Sequence, residues 1–231
     1  MGQFHDNRFP GESEAYRNTR DELLAAEMEL RKQTETVAAM RRTLPLGGEI
    51  KENYAFDEDA AELGAAENIV QTQLGDLFAP GKDSLFLYSF MYAPGADACP
   101  ACSSILDALN GSAPHIGDRF NFAVVAKAPI SQIRTWAQVR GWNNLRLLSS
   151  NGNSYNTDYG AERDGGQLPA INIFRKTGDG IFHNYNAELL YAPSEEGQHP
   201  RHADTIWPLW SVFDLTPGGR GADWFPKLAY D

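Results

Sequence analysis

Cysteine is nearly absent from this sequence. Its 231 residues contain two cysteines, Cys99 and Cys102, and only Pro100 and Ala101 separate them. With so few thiols, a framework of structural disulfides is excluded, and any disulfide formed within the chain must use this pair.

Positive charge is also scarce. Lys and Arg together number 20 against 31 Asp and Glu, which gives a formal net charge of -11. Binding to a phosphate backbone needs clustered Lys and Arg, so we expect no nucleic-acid partner. The same excess of negative charge disfavours an anionic membrane surface, and we expect no membrane partner.

Long apolar runs are missing as well. No stretch approaches the roughly 18 to 20 apolar residues that a membrane-spanning helix needs. The first six residues, MGQFHD, have neither the basic nor the apolar part of a signal peptide. We therefore expect a cytoplasmic protein, and in that compartment a lone C-x-x-C is more often catalytic or metal-binding than a static crosslink.

A long charged helix is predicted near the N-terminus, over residues 13–44, with Ser13 as its N-cap. Its apolar residues recur every seven positions and form one narrow stripe: Tyr16, Leu23, Leu30, Val37 and Leu44. The stripe fits a helix lying along its own domain, or a seam for a second copy of the chain and hence a possible homodimer. The predicted organisation is a helical extension over 1–48 and one domain over 49–231.

The rest of the chain alternates apolar runs with helical patterns. Residues 49–83 are interpreted as a connector. Strands are predicted at 85–91, 120–125, 145–148, 169–174 and 180–185, and helices at 103–109, 129–141 and 203–213. Because KTGD separates the last two strands, they form a hairpin. This order predicts a three-layer α/β/α sandwich with a mixed central sheet, in addition to the long N-terminal helix.

The cysteine pair directly follows the first of these strands. If a helix begins at Cys99, unpaired backbone N–H groups and the helix dipole favour its thiolate. Cys102 lies one turn deeper on the same face. We therefore predict a thiol–disulfide oxidoreductase in which Cys99 attacks and Cys102 resolves the mixed disulfide, with a protein or small-molecule disulfide or thiol as partner. No cofactor and no metal are needed for this chemistry. Pro100 pre-sets helical φ, whereas Asp97 would raise the thiol pKa, so the sign of the net shift stays open.

Two further residues are candidates for supporting roles. Lys127 follows the second strand, on the sheet edge where Cys99 is expected, and either stabilises the thiolate or is an exposed loop lysine. Pro169 precedes the strand that begins at Ala170. A proline at this place can be cis, which leaves neighbouring backbone groups free to dock an extended substrate.

Two other functions compete with the redox interpretation. His199 and His202 form an H-x-x-H that, with Cys99 and Cys102, would supply four zinc ligands. Against this, about 97 residues separate the two motifs, far outside finger spacing. The alternative is a non-catalytic interaction protein, which would use the long helix and the tryptophan-rich C-terminal part as binding surfaces.

The layout of strand, C-x-x-C, helix and strand, followed by a proline and a hairpin, resembles the thioredoxin fold. More narrowly, the chain resembles the DUF899 family of thioredoxin-like proteins over residues 15–225. The stretches that carry the resemblance are 88–94 (YSFMYAP), 99–103 (CPACS), 124–129 (VVAKAP), 141–142 (GW), 148–150 (LSS), 155–160 (YNTDYG) and 214–220 (DLTPGGR).

The resemblance implies a thioredoxin-like fold, a dithiol–disulfide oxidoreductase and a cis peptide bond before Pro169. This family more often has Arg at this position; Lys127 keeps the positive charge but cannot make the bidentate contacts of Arg. Peroxiredoxins need Thr or Ser three residues before their reactive cysteine. Ala96 stands there in this chain, so the resemblance gives a peroxidase activity little support.

Overall fold

The structure is a computed structural model that describes residues 3–58, 69–193, 195–196, 206–221 and 223–230. The chain divides into two compact units, Met1–Pro45 and Leu46–Asp231. The sequence places the boundary three residues later, after residue 48, and that choice stays a prediction.

The first unit is built on one long helix, α1 (Glu14–Arg42). Its start is capped as expected, since the Ser13 hydroxyl accepts the backbone N–H of Tyr16 at 3.1 Å. Arg41 and Arg42 stand in the last turn, where positive charge complements the helix dipole. The prediction of a long N-terminal helix is confirmed.

The second unit alternates strands and helices. Its described strands are β1 (Ala55–Glu58), β2 (Val70–Gln73), β3 (Ser84–Phe90), β4 (Asn121–Ala126), β5 (Leu147–Ser149), β6 (Glu162–Arg163), β7 (Gly166–Gln167), β8 (Ala170–Thr177) and β9 (Gly180–Asn186). Its described α-helices are α2 (Pro100–Arg119), α3 (Ile130–Arg140), α4 (Tyr155–Asp158) and α5 (Pro208–Phe213). Two 3₁₀ segments complete the set, Leu74–Leu77 and Glu188–Leu190.

Seven strands form the central sheet, in the order β2-β1-β5-β4-β3-β8-β9. β3, β4 and β5 are parallel, because α2 and α3 carry the chain back between them. β8 is antiparallel to β3 and forms a hairpin with β9. This is the mixed sheet expected, with helix α2 following the carboxyl end of β3.

The two faces of the sheet have separate apolar cores. One core packs residues of α2, α3 and α5 against alternate strand residues, among them Tyr88 and Val124. In the other core, Tyr155 of α4 and the 3₁₀ segment Leu74–Leu77 cover Leu87 and Val125. The helices on the two faces make the three layers, and the second face is covered by much shorter elements than the first.

Several elements differ from the sequence prediction. The segment 49–83 is more than a connector, since β1 and β2 extend the sheet beyond β5. Helix α2 continues past residue 109 and through Pro114. Proline cannot donate to the carbonyl of Asn110, and the Asn144 side chain donates to it instead at 3.2 Å. β6 and β7 form a small hairpin that was not expected.

Among the described residues, the final helix is shorter than the predicted helix over 203–213. α5 begins at Pro208, which occupies its first turn, and residues 197–205 lie outside the described part of the chain. No helix among the described residues has the length and apolar character to cross a membrane.

Candidate dithiol site

The cysteine pair lies where β3 gives way to α2. Cys99 is the N-cap of α2 and Pro100 its first residue. The backbone N–H of Cys99 donates to the Met91 carbonyl at 3.2 Å, just beyond the end of β3. In turn, the Cys99 sulfur accepts the backbone N–H of Cys102 at 3.4 Å. A thiol therefore stands where a capping side chain normally satisfies the free N–H groups of the first turn.

This position makes Cys99 acidic. Its pKa falls from the ordinary value of 9.0 to about 6, because the Cys102 thiol donates a hydrogen bond to its sulfur. Partial burial acts in the opposite direction, and the backbone N–H groups of Cys102 and Ala101 add to the lowering. The net shift is downward, and among the described residues Asp97 and Lys127 contribute nothing to it.

Cys102 has the opposite character. Its side chain is buried, whereas Cys99 is half-buried. The pKa of Cys102 is raised well above its ordinary value, first by its hydrogen bond to Cys99 and then by burial. At neutral pH the pair therefore consists of one reachable thiolate and one enclosed thiol.

Tyr88 is a site residue that the sequence did not single out. It lies on β3, fully buried in the core that also contains Cys102. Its hydroxyl lowers the pKa of the Cys102 thiol, against the larger raising effects of Cys99 and burial. Tyr88 supports negative charge on the deeper sulfur.

Gln132 of α3 holds the loop that leads into the site. Its amide nitrogen donates to the carbonyls of Ala93 and Ala96, both at 3.2 Å. Its amide oxygen accepts the backbone N–H of Gly95 at 3.0 Å. One side chain thus satisfies three backbone groups between β3 and Cys99 and positions the approach to the thiolate.

Two tryptophans contact the first turn of α2 directly after the pair. The Trp136 indole donates to the hydroxyl of Ser103 at 3.2 Å, and the Trp207 indole donates to Ser104 at 3.1 Å. Trp207 and Trp210 are buried. The hydroxyls following Cys102 are therefore tied both to α3 and to the segment that begins α5.

Lys127 contacts the loop and the hairpin that follow β5. Its ammonium group donates to the carbonyl of Asn153 at 3.0 Å and lies 3.7 Å from the Glu162 carboxylate. These contacts compensate its charge, whereas hydrogen bonds from Cys102 and Ala101 lower the pKa of Cys99. A supporting role of Lys127 at the thiolate stays a prediction.

The expectation of a cis peptide bond before Pro169 is wrong: the bond is trans. The trans form is the lower in energy for most X-Pro bonds. The backbone here is also occupied, since the N–H of Leu168 donates to the carbonyl of Ala161 at 2.8 Å. Strand register sets Pro169 beside Phe90, near the carboxyl end of β3, but Leu168 does not offer its N–H to an extended substrate.

The zinc alternative falls partly outside the structure. His199 and His202 lie outside the described residues. Within the described part of the chain, no group of three or more His, Cys, Asp or Glu side chains is placed to hold a metal ion.

Sequence comparison identifies the family. Residues 7–230 match the model of a family described as "Bacterial protein of unknown function (DUF899)". The chain belongs to the DUF899 family. No curated protein matches it.

Among solved structures, this DUF899 protein is similar to three peroxiredoxin-type chains. The reduced 2-Cys peroxiredoxin of Plasmodium vivax has 17% identity and a TM-score of 0.47, covering 72% of this chain and 97% of its own. AhpC of Enterococcus faecalis has 14% identity and a TM-score of 0.47, covering 77% and 98%. A mutant of Peroxiredoxin Q from Xanthomonas campestris has 12% identity and a TM-score of 0.48, covering 74% and 99%.

In this DUF899 protein the segment 155–160 supplies a polar network on the other face of the sheet. Asn172 of β8 is fully buried, and its amide nitrogen donates to the Tyr159 carbonyl at 3.1 Å. The oxygen of Asn172 lies 2.9 Å from Nε2 of His183. His183 is thus a hydrogen-bonded histidine, and burial lowers its pKa.

Proposed function

We propose that this protein is a thiol–disulfide oxidoreductase that works through Cys99 and Cys102. The observation that carries the proposal is the asymmetry of the pair: the pKa of Cys99 is lowered to about 6, and that of Cys102 is raised. The thiolate is the form of cysteine that attacks disulfides, so at neutral pH only the more exposed sulfur is ready to react.

The first step is attack of the Cys99 thiolate on one sulfur of a client disulfide. A bond forms between Sγ of Cys99 and that sulfur, the client S–S bond breaks, and the other client sulfur leaves as a thiolate. The product is a mixed disulfide on Cys99, which sits at the reachable end of α2.

The second step uses the buried thiol. Cys102 gives up its proton to the departed client thiolate, and the hydroxyl of Tyr88 donates a hydrogen bond to the new negative charge. The Cys102 thiolate attacks Sγ of Cys99, and the second client sulfur is released. The client disulfide is then reduced to two thiols and the pair is oxidised to one disulfide, which an external dithiol or thiol must reduce before another turnover.

The contacts around the pair support the same roles. Gln132 fixes the loop before Cys99, and the two tryptophans fix the turn after Cys102. The backbone N–H groups of the first turn of α2 are in place before the reaction begins. They stabilise the Cys99 thiolate in the resting protein and whenever Cys99 is the leaving group. We propose the cytoplasm as the compartment, since a reducing environment returns such a pair to its dithiol form.

Trapping of the mixed disulfide tests the proposal. The Cys102→Ser variant lacks the resolving thiol, and we expect it to accumulate a stable adduct on Cys99 with oxidised glutathione. The Cys99→Ser variant should form no such adduct at neutral pH. In the unmodified protein, oxidation should yield a Cys99–Cys102 link visible by peptide mass mapping, and the midpoint of a glutathione redox titration then sets the direction of catalysis. An oxidised protein without that link would overturn the proposal.

A further inference from the structure

The turn that follows β5 contains an Asn-Gly pair that the dithiol chemistry does not use. Asn151 and Gly152 are the two central residues of a β-turn, which is closed by a hydrogen bond from the backbone N–H of Asn153 to the carbonyl of Ser150 at 3.1 Å. Both central residues are exposed, and both line an open groove of about 820 Å³. Solvent water therefore reaches the pair.

The reactive groups of this pair are not held by hydrogen bonds. Within the described part of the chain, neither the side chain of Asn151 nor the backbone N–H of Gly152 has a hydrogen-bond partner. A Cβ added at Gly152 would meet no heavy atom within 4 Å. The Gly152 nitrogen is therefore unhindered in approaching the side-chain carbonyl carbon of the residue before it.

We propose that Asn151 is a site of spontaneous deamidation, with water as the co-reactant. The nitrogen of Gly152 attacks Cγ of Asn151 and closes a succinimide ring, while the side-chain amide group takes up the displaced proton and leaves as ammonia. Water then opens the ring at either of its two carbonyls. The products are aspartate and isoaspartate, and in isoaspartate the main chain runs through the side-chain carboxyl carbon.

The position of the turn gives this modification a local consequence. Either product adds one negative charge to a groove that Glu52 and Asp57 already line. Isoaspartate also lengthens the main chain by one carbon, close to Asn153, whose carbonyl accepts the ammonium group of Lys127. Because β3, β4 and β5 are parallel, this is the sheet edge that also carries Cys99. Deamidation therefore changes both the charge and the backbone of that edge.

Two other asparagines of the chain are matched controls. Asn110 also precedes a glycine, but it lies inside α2, where its side chain accepts the backbone N–H of Asn144 at 3.0 Å and donates to the carbonyl of Gly141 at 3.4 Å. Asn153 stands in the same loop as Asn151, and both ends of its amide are hydrogen-bonded. Local structure has to open before either control residue can react.

Peptide mapping of the reduced full-length protein tests the proposal. After incubation at neutral pH, the peptide that contains Asn151 should gain about 1 Da and separate into an aspartyl and an isoaspartyl form. The reaction at Asn151 should be at least about tenfold faster than at Asn110 or Asn153. It should accelerate at alkaline pH, where the attacking nitrogen loses its proton more readily.

Two results would overturn the proposal. Equal rates at Asn151 and Asn110 would mean that deamidation happens in the unfolded chain, where the turn no longer exists. An intact Asn151 in the folded protein, under conditions in which a synthetic peptide of residues 147–157 has deamidated, would mean that the turn protects this residue.

Gly152→Ala tests the role of the glycine nitrogen. Alanine fits this position, because Gly152 does not have a positive φ and the space around its Cα is open. The added methyl group hinders ring closure, so deamidation at Asn151 should slow by at least about tenfold. Gly111→Ala, which also has open space, is the control and should leave the rate at Asn151 unchanged. An equal rate in both variants would refute attack by the Gly152 nitrogen.

The modification is independent of the dithiol proposal. Cys99→Ser forms no mixed disulfide, and it should deamidate at Asn151 at the rate of the unmodified protein. A reaction that disappears in this variant would depend on the thiolate, and the assignment to the turn would be wrong.

Discussion

The backbone N–H of Cys102 donates to the sulfur of Cys99 at 3.4 Å, and the Cys102 thiol donates to the same atom. One residue therefore supplies two of the hydrogen bonds that make its neighbour acidic. The deeper cysteine both activates the outer one and stands ready to react with it. Because one donor is a side-chain group and the other a backbone group, mutation of the Cys102 side chain separates their contributions to the acidity of Cys99.

The acidity of Cys99 should depend partly on the Cys102 side chain. In the unmodified protein, alkylation of Cys99 by iodoacetamide should follow a titration with a midpoint at about 6. Cys102→Ala keeps the backbone N–H and removes the thiol donor, so the midpoint should move to higher pH. We expect alkylation at pH 6 to slow by about fivefold to tenfold. An unchanged midpoint would assign the whole effect to the backbone of α2.

Stability of the reduced protein should rise with pH between about 6 and 9. The pKa of Cys99 is lower in the folded state than its ordinary value of 9.0, so the folded protein binds fewer protons in this window. The thiolate contribution is complete above the unfolded pKa and is lost as the pH falls through about 6. Solvent reaches this half-buried thiol, and we expect a gain of only about 1–2 kcal/mol.

Urea denaturation of the reduced protein at several pH values measures this gain, with Cys99→Ala as the reference. The difference in the free energy of unfolding between the two proteins should grow as pH rises from 6 to 9. If it shrinks instead, the Cys99 thiolate is destabilising in the folded state.

Tyr88→Phe should slow the resolving step specifically. The substitution keeps the buried ring and removes the hydroxyl that lowers the pKa of Cys102. Release of glutathione from the mixed disulfide should slow by about threefold to tenfold, and its pH profile should move to higher pH.

Alkylation of Cys99 in Tyr88→Phe should stay normal, which separates a positioning role from a general loss of structure. Tyr92→Phe is the matched control, because Tyr92 is buried in the same core. An equal effect of both variants on glutathione release would argue against a specific role of Tyr88.

Gln132→Ala should loosen the loop before the cysteines. Three backbone groups lose their partner, and we expect a loss of about 1–2 kcal/mol in the free energy of unfolding. Amide exchange at Gly95 should accelerate relative to the protein with Gln132 in place. Gln138→Ala, at an exposed position of the same helix, is the control. Unchanged exchange at Gly95 would mean that the loop is held by other contacts.

We propose that a second copy of the chain pairs with α1. Leu23 and Leu30 are 51% and 67% exposed, and they belong to the stripe that repeats every seven residues. The first half of α1 has a net negative charge and the second half a net positive charge, so two copies fit an antiparallel arrangement.

The double variant Leu23→Glu, Leu30→Glu should convert the dimer to a monomer in light scattering coupled to gel filtration. Thr36→Glu, Ala39→Glu adds the same charge at exposed positions on the opposite side of α1 and should leave the dimer intact. A monomeric unmodified protein would refute the pairing.

The sequence predicts the elements whose signals are local. Ser13 and the break at Leu44-Pro45 bound α1 to within about two residues, and Gly141 ends α3 in a left-handed conformation. The Asp164-Gly165 pair is an equally local signal for the β6–β7 hairpin, since both residues have positive φ. The sequence therefore contained enough information to predict this hairpin.

Other features depend on contacts between distant residues. Helix α2 passes through Pro114, and Asn144, thirty residues on, supplies the donor that the proline lacks. β1 and β2 are short and polar, and they become strands by pairing with the sheet edge. The role of Tyr88 requires knowing which face of β3 lies under α2. Lys127 and Pro169 occupy the predicted region, but their partners come from the loop and hairpin that follow β5.

The indole contacts of Ser103 and Ser104 connect the redox state of the cysteine pair to tryptophan fluorescence. We expect that closing the Cys99–Cys102 bond shifts the first turn of α2, to which Trp136 and Trp207 are hydrogen-bonded. Intrinsic fluorescence should then change between the dithiol and disulfide forms, so a spectrometer can follow each electron-transfer event without a dye, a label or a coupled enzyme.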